Sequence, residues 1–308
     1  MRRRYNSFGD FMKNRFGASV YKVSIDAGFA CPNRDGTLST SGCIFCNNDS
    51  FRPYSCRPAL PIRQQINNGI SYIRKRYNTN KFLAYFQPYT NTYAPADDLE
   101  RIYREALAHP KVIGIAVGTR PDTVDDEKIR LLQALGDKYF ILVEYGMQSM
   151  YDKTLAFINR GHDYKALLNA LEMTRNRNIL TGVHIIVGFP TETREEMLAM
   201  ADEISCLPVD FLKIHHLQVI RNTKLASMYQ ENPFRVFAYD EYLDFVAEFV
   251  ERISPRIVLQ RLFASAPDNL LIAPQWEKSS QETLRDIERV LASRDTYQGK
   301  KQKIYESA

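Results

Sequence analysis

Apolar stretches of strand length alternate with stretches of helical periodicity along most of the chain, and this alternation restricts the fold more than any other feature. Each apolar stretch is nearly continuous, as expected for a strand that is covered on both faces. Strands that alternate with helices in this way form a parallel sheet. The six predicted strands are 21–27, 82–87, 112–119, 140–147, 182–189 and 211–219.

Helical periodicity fills the segments between these strands and continues after the sixth one. The predicted helices are 61–77, 96–108, 126–135, 164–177, 194–204, 239–253 and 277–292. We expect Asp98 and Thr193 to cap two of these helices. Segment 258–264 is a candidate for a further strand. Six successive β/α units predict an α/β protein with a partial or complete TIM-like barrel, although a doubly wound open sheet has the same order of elements.

Length and composition favour one globular barrel. The chain has 308 residues, of which 44% are hydrophobic and 25% are charged, as is usual for a protein with a substantial core. No apolar run approaches the roughly 18 residues of a membrane span. The first ten residues lack the apolar segment of a secretory signal. We therefore expect a cytoplasmic protein without a membrane partner.

The formal net charge is +5 and the pI is about 8.8, so the protein is moderately basic. A basic surface favours an anionic partner, but solvated chain ends explain the same excess. The basic residues concentrate near the two ends of the chain, at Arg2, Arg3, Arg4, Lys13, Arg15, Lys300, Lys301 and Lys303.

Three of the five cysteines lie close together after the first predicted strand. Cys31, Cys43 and Cys46 have the spacing C-x11-C-x2-C, unlike the spread pattern of a disulfide framework, and this indicates a metal site. On a barrel this loop lies at the rim where active sites form. Three thiolates on a four-iron cluster leave one iron without a protein ligand. Alternatively, Cys56 would complete a four-thiolate zinc site, and the spacing alone fits both.

An ordered series of motifs accompanies the cysteines, each at the end of a predicted strand or in the following turn. The motifs are Tyr-Lys-Val-Ser-Ile-Asp-Ala-Gly-Phe-Ala-Cys-Pro-Asn-Arg-Asp-Gly (21–36), Gly-Cys-Ile-Phe-Cys (42–46), Tyr-Phe-Gln-Pro-Tyr-Thr-Asn-Thr-Tyr-Ala (85–94), Gly-Thr-Arg-Pro-Asp (118–122), Glu-Tyr-Gly-Met-Gln-Ser (144–149), Asn-Arg-Gly-His-Asp (159–163), His-Ile-Ile-Val-Gly-Phe-Pro-Thr-Glu (184–192) and Lys-Ile-His (213–215). In this order they resemble radical SAM proteins of the YhcC/YtqA type, which are similar to the catalytic subunit of Elongator.

The resemblance implies a fold, a domain division and two cofactors. The fold is a partial (β/α)6 barrel over residues 21–230, with a basic N-terminal extension (1–20) and a mainly helical C-terminal extension (231–308) packed on the barrel. The cofactors are a [4Fe–4S] cluster on Cys31, Cys43 and Cys46, and S-adenosyl-L-methionine (SAM), which chelates the free iron and yields a 5′-deoxyadenosyl radical on reduction. Reduction requires an electron donor such as flavodoxin or ferredoxin.

Besides His184 of the fifth strand, five residues are candidates to bind the cofactor. Gln87 lies where many radical SAM proteins have a glycine-rich motif that contacts the amino group of SAM. Glu144 and Gln148 lie on one face of the fourth strand and are candidates for the ribose hydroxyls or the sulfonium end. Arg160 is a candidate for the cofactor carboxylate, because a guanidinium pairs with carboxylates in a bidentate way. Phe45 would pack near the adenine.

Histidines and a lysine in the fifth and sixth strands are candidates for further roles. His184 would contact cofactor or substrate, or else be a hydrogen-bonded core residue. Lys213 and His215 share one face of the sixth strand and are the candidate catalytic residues, whereas His216 faces the other way. Cys206 is predicted to be a structural thiol at a helix end.

The resemblance to Elongator suggests tRNA as the substrate. Relatives of the YhcC/YtqA type are associated with converting the carboxymethylaminomethyl substituent of the wobble uridine to aminomethyl. A second hypothesis is a radical SAM enzyme that acts on a small metabolite or on another protein. A third is a non-catalytic RNA-binding protein with a four-thiolate zinc site that includes Cys56.

Overall fold

The computed structural model describes residues 3–50, 52–53 and 56–302, and its main feature is a curled parallel sheet of seven strands. The strands of this sheet are β1 (Val20–Ile25), β2 (Lys81–Phe86), β3 (Val112–Thr119), β4 (Phe140–Gln148), β5 (Leu180–Val187), β6 (Phe211–His216) and β8 (Val258–Arg261). Two short strands, β7 (Val219–Ile220) and β9 (Leu271–Ala273), form a separate antiparallel pair.

The strands lie side by side in the order in which they occur along the chain. A doubly wound sheet reverses its strand order at a switch point, and this sheet has no such reversal between β1 and β6. The partial barrel is therefore confirmed. The candidate strand at 258–264 forms β8 and extends the sheet beyond the sixth strand, whereas the chain leaves the main sheet after His216, earlier than predicted.

The helices that connect the strands cover the outside of the sheet. The described helices are α1 (Phe8–Phe16), α2 (Ile62–Arg74), α3 (Ala96–Leu107), α4 (Asp126–Gly136), α5 (Asp152–Phe157), α6 (Tyr164–Thr174), α7 (Arg194–Cys206), α8 (Lys224–Glu231), α9 (Tyr239–Arg252) and α10 (Ser280–Ser293). Thr193 caps α7 in a capping box with Glu196, as predicted. The cap at Asp98 was wrong: Pro95, whose φ is fixed, precedes the first helical residue, and Asp98 lies within the first turn of α3.

Apolar side chains pack between the helices and the sheet to form the main core. In α2, Ile66 and Ile70 are buried against the sheet, and each such side chain contributes roughly 1.5–3 kcal/mol when fully removed from water. Gly69 allows α2 to approach β1 closely, because a Cβ at this position would lie 2.3 Å from Cγ1 of Val23. The close approach fixes the position of β1, which leads into the cysteine loop.

The helix α1 closes the N-terminal end of the barrel. Phe8 and Phe11 contact the ring of Phe211 at centroid distances of 5.7 and 5.1 Å, and Met12 is fully buried. The segment predicted as a basic extension thus contains a helix that packs on the sheet. The domain limits 1–20, 21–230 and 231–308 stay a prediction.

The two basic chain ends meet, and their side chains form ion pairs within the molecule. The backbone N–H of Gln298 donates to the carbonyl of Arg4 at 2.9 Å. Arg4 pairs with Asp295 at 2.9 Å, Arg3 with Glu288 at 3.4 Å, and Lys301 with Glu251 at 2.5 Å. Arg2 and Lys303 lie outside the described residues.

None of the helices in the described part of the chain combines the length and the apolar character that a membrane crossing requires.

Candidate active site

A cavity of about 240 Å³ opens at the C-terminal ends of the sheet strands. Barrels of this kind place their active sites at this end, because the loops that follow the strands converge there. The structure brings all the predicted site residues into the lining of this one cavity: Cys31, Cys43, Phe45, Cys46, Gln87, Glu144, Gln148, Arg160, His184, Lys213 and His215. The individual roles of these residues stay predictions.

The three thiols lie on the loop that follows β1, and neighbouring elements hold this loop in place. The backbone N–H of Ile44 donates to the carbonyl of Ile158 at 3.0 Å. Two cationic or polar groups point at the sulfur of Cys43: Nδ2 of Asn33 at 3.5 Å and Nη1 of Arg160 at 3.6 Å. Hydrogen bonds to sulfur favour the thiolate and tune the potential of a cluster that the thiolate binds.

Cys56 is buried at a different place. Its neighbours are Asp26 and Arg52, and burial raises the pKa of its thiol to about 12. Among the described residues, no group of three His, Cys, Asp or Glu side chains is placed to hold a single metal ion. Cys206 ends α7, where its Sγ contacts the carbonyl of Asp202 at 3.5 Å.

Arg160 and Gln148 line the cavity and carry buried polar atoms. Nη2 of Arg160 donates to the carbonyl of Gly146 at 2.8 Å, so this arginine is buried and does not lie in a surface turn. Within the described residues, Nε of Arg160, Oε1 of Gln148 and Nε2 of His184 are buried without a hydrogen-bond partner. Buried polar atoms are nearly always satisfied, so three such atoms in one cavity indicate a polar ligand.

Gly146 allows the side chains of Gln148 and Arg160 to pack closely against the backbone of β4. A Cβ at this position would lie 2.6 Å from Nε2 of Gln148 and 2.7 Å from Nη2 of Arg160. The cavity therefore has three thiols at one side and unsatisfied donors and acceptors beside them. This arrangement fits a cluster on the thiols and a ligand with charged and hydrogen-bonding groups next to it.

Deeper in the barrel, Glu144 lies between two lysines. The ammonium groups of Lys22 on β1 and Lys213 on β6 both contact its carboxylate. Lys213 also donates to the hydroxyl of Tyr85 at 2.9 Å, and Lys22 donates to Oε1 of Gln260 at 2.5 Å. The members of this cluster come from β1, β2, β4, β6 and β8, whose inward-facing side chains meet inside the curled sheet.

The charges of this cluster shift the pKa values of its members. Burial alone would raise the pKa of Glu144, but the ammonium groups of Lys213 and Lys22 hold it well below the usual range of a carboxyl. Burial lowers the pKa of Lys213 to about 7, even though Glu144 opposes this shift. Lys213 can therefore donate or accept a proton near neutral pH.

Two neutral histidines border the same part of the cavity. The rings of His184 and His215 contact each other at a centroid distance of 4.0 Å. Burial lowers the pKa of His184 to about 3 and that of His215 well below the usual value, so both rings are neutral at physiological pH. The ring of His216 packs against Trp276 and Tyr242, and the residue also lines the cavity.

Two family models match the chain. The model of the Radical SAM superfamily matches residues 31–204, and that of the Radical SAM C-terminal domain matches residues 209–293. The chain belongs to the radical SAM superfamily. The cofactors of this family are a [4Fe–4S] cluster and SAM, so the radical SAM enzyme described here uses the predicted pair, and its thiols and unsatisfied polar groups fit them.

Whole-length relatives of this radical SAM protein are YtqA of Bacillus subtilis and YhcC of Escherichia coli. YtqA is 32% identical over 298 residues, which cover 97% of this chain and 92% of YtqA. YhcC is 32% identical over 287 residues, which cover 93% and 92%. The predicted resemblance to the YhcC/YtqA type is confirmed.

Similarity to Elongator proteins is more distant. A tRNA uridine(34) acetyltransferase of Methanocaldococcus infernus is 27% identical over 154 residues, which cover 49% of this chain and 28% of the acetyltransferase. The structure of Methanocaldococcus infernus Elp3 with an N-terminal deletion superposes with a TM-score of 0.69 at 17% identity, over 91% of this chain and 64% of that one. At this identity the superposition shows the shared fold.

The sequence analysis missed four residues of the site: Lys22, Tyr85, Gln260 and Arg261. Lys22 and Tyr85 lie inside strands that are otherwise largely apolar. A charged or hydrogen-bonding side chain in a strand that is covered on both faces needs a buried partner, and this requirement could have indicated both residues. Gln260 and Arg261 end β8, which only the fold brings next to β6. Arg261 lines the cavity and contacts Nε2 of His215 at 3.2 Å.

Proposed function

We propose that this radical SAM enzyme modifies the wobble uridine of tRNA, converting its carboxymethylaminomethyl substituent to aminomethyl. The observation that carries the proposal is the match of about half of the chain to a tRNA uridine(34) acetyltransferase, a protein whose name states a reaction at the same nucleotide. The shared fold with Elp3 agrees with this proposal.

Residues around the thiols would hold the cofactors. When bound, the cluster and SAM supply a 5′-deoxyadenosyl radical that removes a hydrogen atom from carbon. Asn33 and Arg160 orient Cys43, and the free donors and acceptors of Arg160, Gln148 and His184 would bind polar groups of SAM. Phe45 lines the cavity beside the third thiol and would pack against the adenine.

The inner end of the cavity would receive the uridine substituent. Burial keeps water out of this region, and the walls there are formed by Lys213, Glu144 and the two neutral histidines. Lys213 hydrogen-bonds both Tyr85 and Glu144, so it could exchange a proton with an amine of the substituent without a large movement.

Nucleoside analysis of tRNA tests the proposal. In a strain that lacks the gene, we expect mass spectrometry to detect accumulated carboxymethylaminomethyluridine and a loss of aminomethyluridine. The wild-type gene should restore the aminomethyl form, and a Cys43→Ala gene should not. Unchanged wobble uridines in the deletion strain would contradict the proposal.

A second experiment separates a tRNA substrate from a small metabolite or a protein. The anaerobically reconstituted enzyme, given SAM and dithionite, should form 5′-deoxyadenosine faster when tRNA from the deletion strain is added. Its affinity for that tRNA should fall steeply with salt, because phosphate contacts release counterions. An enzyme with a small substrate would show neither effect.

A further inference from the structure

We propose that Arg261, together with Lys213 and His215, forms an anion subsite that binds the carboxylate of the substrate substituent. This inference rests on the proposed function and adds to it a residue that would decide which substituent is accepted. The side chains come from adjacent strands, since Arg261 of β8 is the register partner of Lys213 on β6. All three side chains line the cavity.

The guanidinium of Arg261 is only partly used by the protein. Its Nη1 contacts Nε2 of His215 at 3.2 Å, and a guanidinium has five N–H donors. Within the described residues, no carboxylate lies within ion-pair distance of it, whereas Arg120, which also lines the cavity, pairs with Asp122. Arg261 therefore presents unused donors to the cavity.

The surrounding charges leave a positive excess at this end of the cavity. Lys22, Lys213 and Arg261 are three basic side chains, and Glu144 is the acidic side chain that pairs with the two lysines. Lys213 is buried, where a positive charge is costly unless an anion compensates it, and Arg261 is exposed beside it at the end of β8. An incoming anionic group would thus be attracted to Arg261, the member of this set that Glu144 does not contact.

A carboxylate matches this subsite better than a backbone phosphate. The two oxygens of a carboxylate accept parallel hydrogen bonds from one guanidinium. In a tRNA nucleotide that enters the cavity base first, the 5-substituent reaches deeper than the phosphates. The subsite lies beside Lys213 and the two histidines, with Arg261 exposed at the end of β8.

The same charges would also separate substrate from product. The carboxymethylaminomethyl group ends in a carboxylate, whereas the aminomethyl product ends in an amine that is protonated at neutral pH. Arg261 and Lys213 would attract the first group and repel the second, because like charges at close range are unfavourable. The subsite would therefore favour product release as well as substrate binding.

Binding measurements with anticodon stem-loops test the subsite. The reconstituted holoprotein, with SAM and without reductant, is titrated with three stem-loops that carry carboxymethylaminomethyluridine, aminomethyluridine or unmodified uridine at the wobble position. We expect the wild type to bind the carboxylated stem-loop at least about tenfold more tightly than the other two, as a charge-assisted hydrogen bond of roughly 1.5–3 kcal/mol implies.

Substitution of Arg261 should remove this preference. Arg261→Gln should bind all three stem-loops with similar affinity, and Arg261→Lys should keep part of the preference because it keeps the charge. The control is Arg285→Gln on the exposed face of α10, which should behave as the wild type. Thermal unfolding of each variant checks that it is folded.

The outcomes distinguish this inference from the proposed function. If Arg261→Gln keeps the wild-type preference for the carboxylated stem-loop, the subsite is refuted and the proposed function stands. If Arg261→Gln weakens binding of the unmodified stem-loop as much as that of the carboxylated one, Arg261 binds a phosphate and the inference is also wrong. If the wild type binds none of the stem-loops and the deletion strain has unchanged wobble uridines, the proposed function itself fails.

Discussion

Lys213 occupies a position where a small change in environment decides whether its side chain is charged. Its amine is buried, hydrogen-bonded to Tyr85 and in contact with Glu144. Burial lowers its pKa to about 7, and the second lysine at Glu144 lowers it further instead of restoring it. The carboxylate of Glu144 thus pairs with two amines, and at neutral pH Lys213 can bind or release a proton.

The stability of the protein should show this titration. Between pH 7 and about 10 the unfolded chain keeps a proton on Lys213 that the folded chain has lost, so this residue makes the unfolding free energy rise with pH in that window. In Lys213→Met the rise should be smaller. Urea unfolding at pH 7, 8 and 9 measures the difference between wild type and variant at each pH.

Lys165→Met is the control for this measurement, because Lys165 is exposed on α6. It should keep the pH dependence of the wild type. Equal slopes in wild type and Lys213→Met would mean that Lys213 stays protonated in the folded protein, and the proton-transfer role would then lose its basis.

The cysteines differ in what surrounds them, and this allows a second test at single residues. Cys43 lines the cavity and receives contacts from Asn33 and Arg160, whereas Cys56 is buried beside Asp26 and Arg52. After anaerobic reconstitution, we expect about four irons per chain in the wild type and in Cys56→Ala. Cys43→Ala should lose most of this iron and the brown colour.

Iron analysis and the absorption spectrum near 400 nm, which is roughly where thiolate-to-iron transitions occur, check this expectation. Zinc in a colourless wild-type protein, or loss of iron in Cys56→Ala, would support the four-thiolate site instead.

Sequence reasoning found one class of site residue and missed another. The thiols and Glu144, Gln148, Arg160 and His184 belong to motifs that lie at strand ends, where a parallel sheet collects its functional residues. Arg261 belongs to no such motif, and Lys22 lies inside β1, not at its end. Their proximity to Glu144 and His215 depends on how the sheet curls and on the addition of β8, which local patterns do not report.

Among the elements, the strands of the sheet were the most predictable. Strand β3 has the predicted limits 112–119, because its apolar run is long and bounded by a polar turn. Helix α1 was missed because its segment is basic and its apolar residues face the barrel end. The short helices α5 and α8 and the pair β7 and β9 have too few residues for periodicity to show.

The contact between α2 and β1 gives a prediction at the scale of elements. Gly69→Ala should destabilise the protein by roughly 1–3 kcal/mol, because the added methyl overlaps Val23, although alanine is the better helix former. Chemical denaturation measures this loss. In the double variant with Val23→Ala, the added cost of Gly69→Ala should largely disappear, since the smaller side chain gives the methyl room.

Gly9→Ala in α1 is the matched control, because nothing lies within 4 Å of the position of its Cβ. This substitution should leave stability unchanged or raise it slightly. Equal effects of Gly69→Ala with and without Val23 would show that the helix and strand are not in the close contact described.

At the scale of the whole molecule, the basic ends of the chain serve a structural purpose. Arg3, Arg4 and Lys301 pair with acidic residues of α9, α10 and the turn that follows α10, and Asn6 and Ser7 lie along β8. The sequence showed two basic ends but not that they meet. The net charge of +5 is therefore not evidence for an RNA surface at the termini.

If RNA reaches the cavity, the phosphates should instead contact basic residues at its mouth. The carbonyl of Arg221 accepts a hydrogen bond from Asn47 of the cysteine loop at 3.0 Å, and Leu225 N–H donates to Ile44 at 2.8 Å. Arg221 and Lys224 are exposed beside this junction. In this arrangement Arg221 and Lys224 would bind the RNA backbone while the base enters the cavity.

The salt dependence of tRNA binding tests this arrangement. In the double variant Arg221→Ala and Lys224→Ala, we expect the slope of log affinity against log salt to become shallower by about 1.5, because two phosphate contacts are lost. Arg4→Ala, which removes an ion pair at the far end of the barrel, should leave the slope unchanged. If Arg4→Ala changes the slope and the double variant does not, the RNA binds at the chain ends and not at the mouth of the cavity.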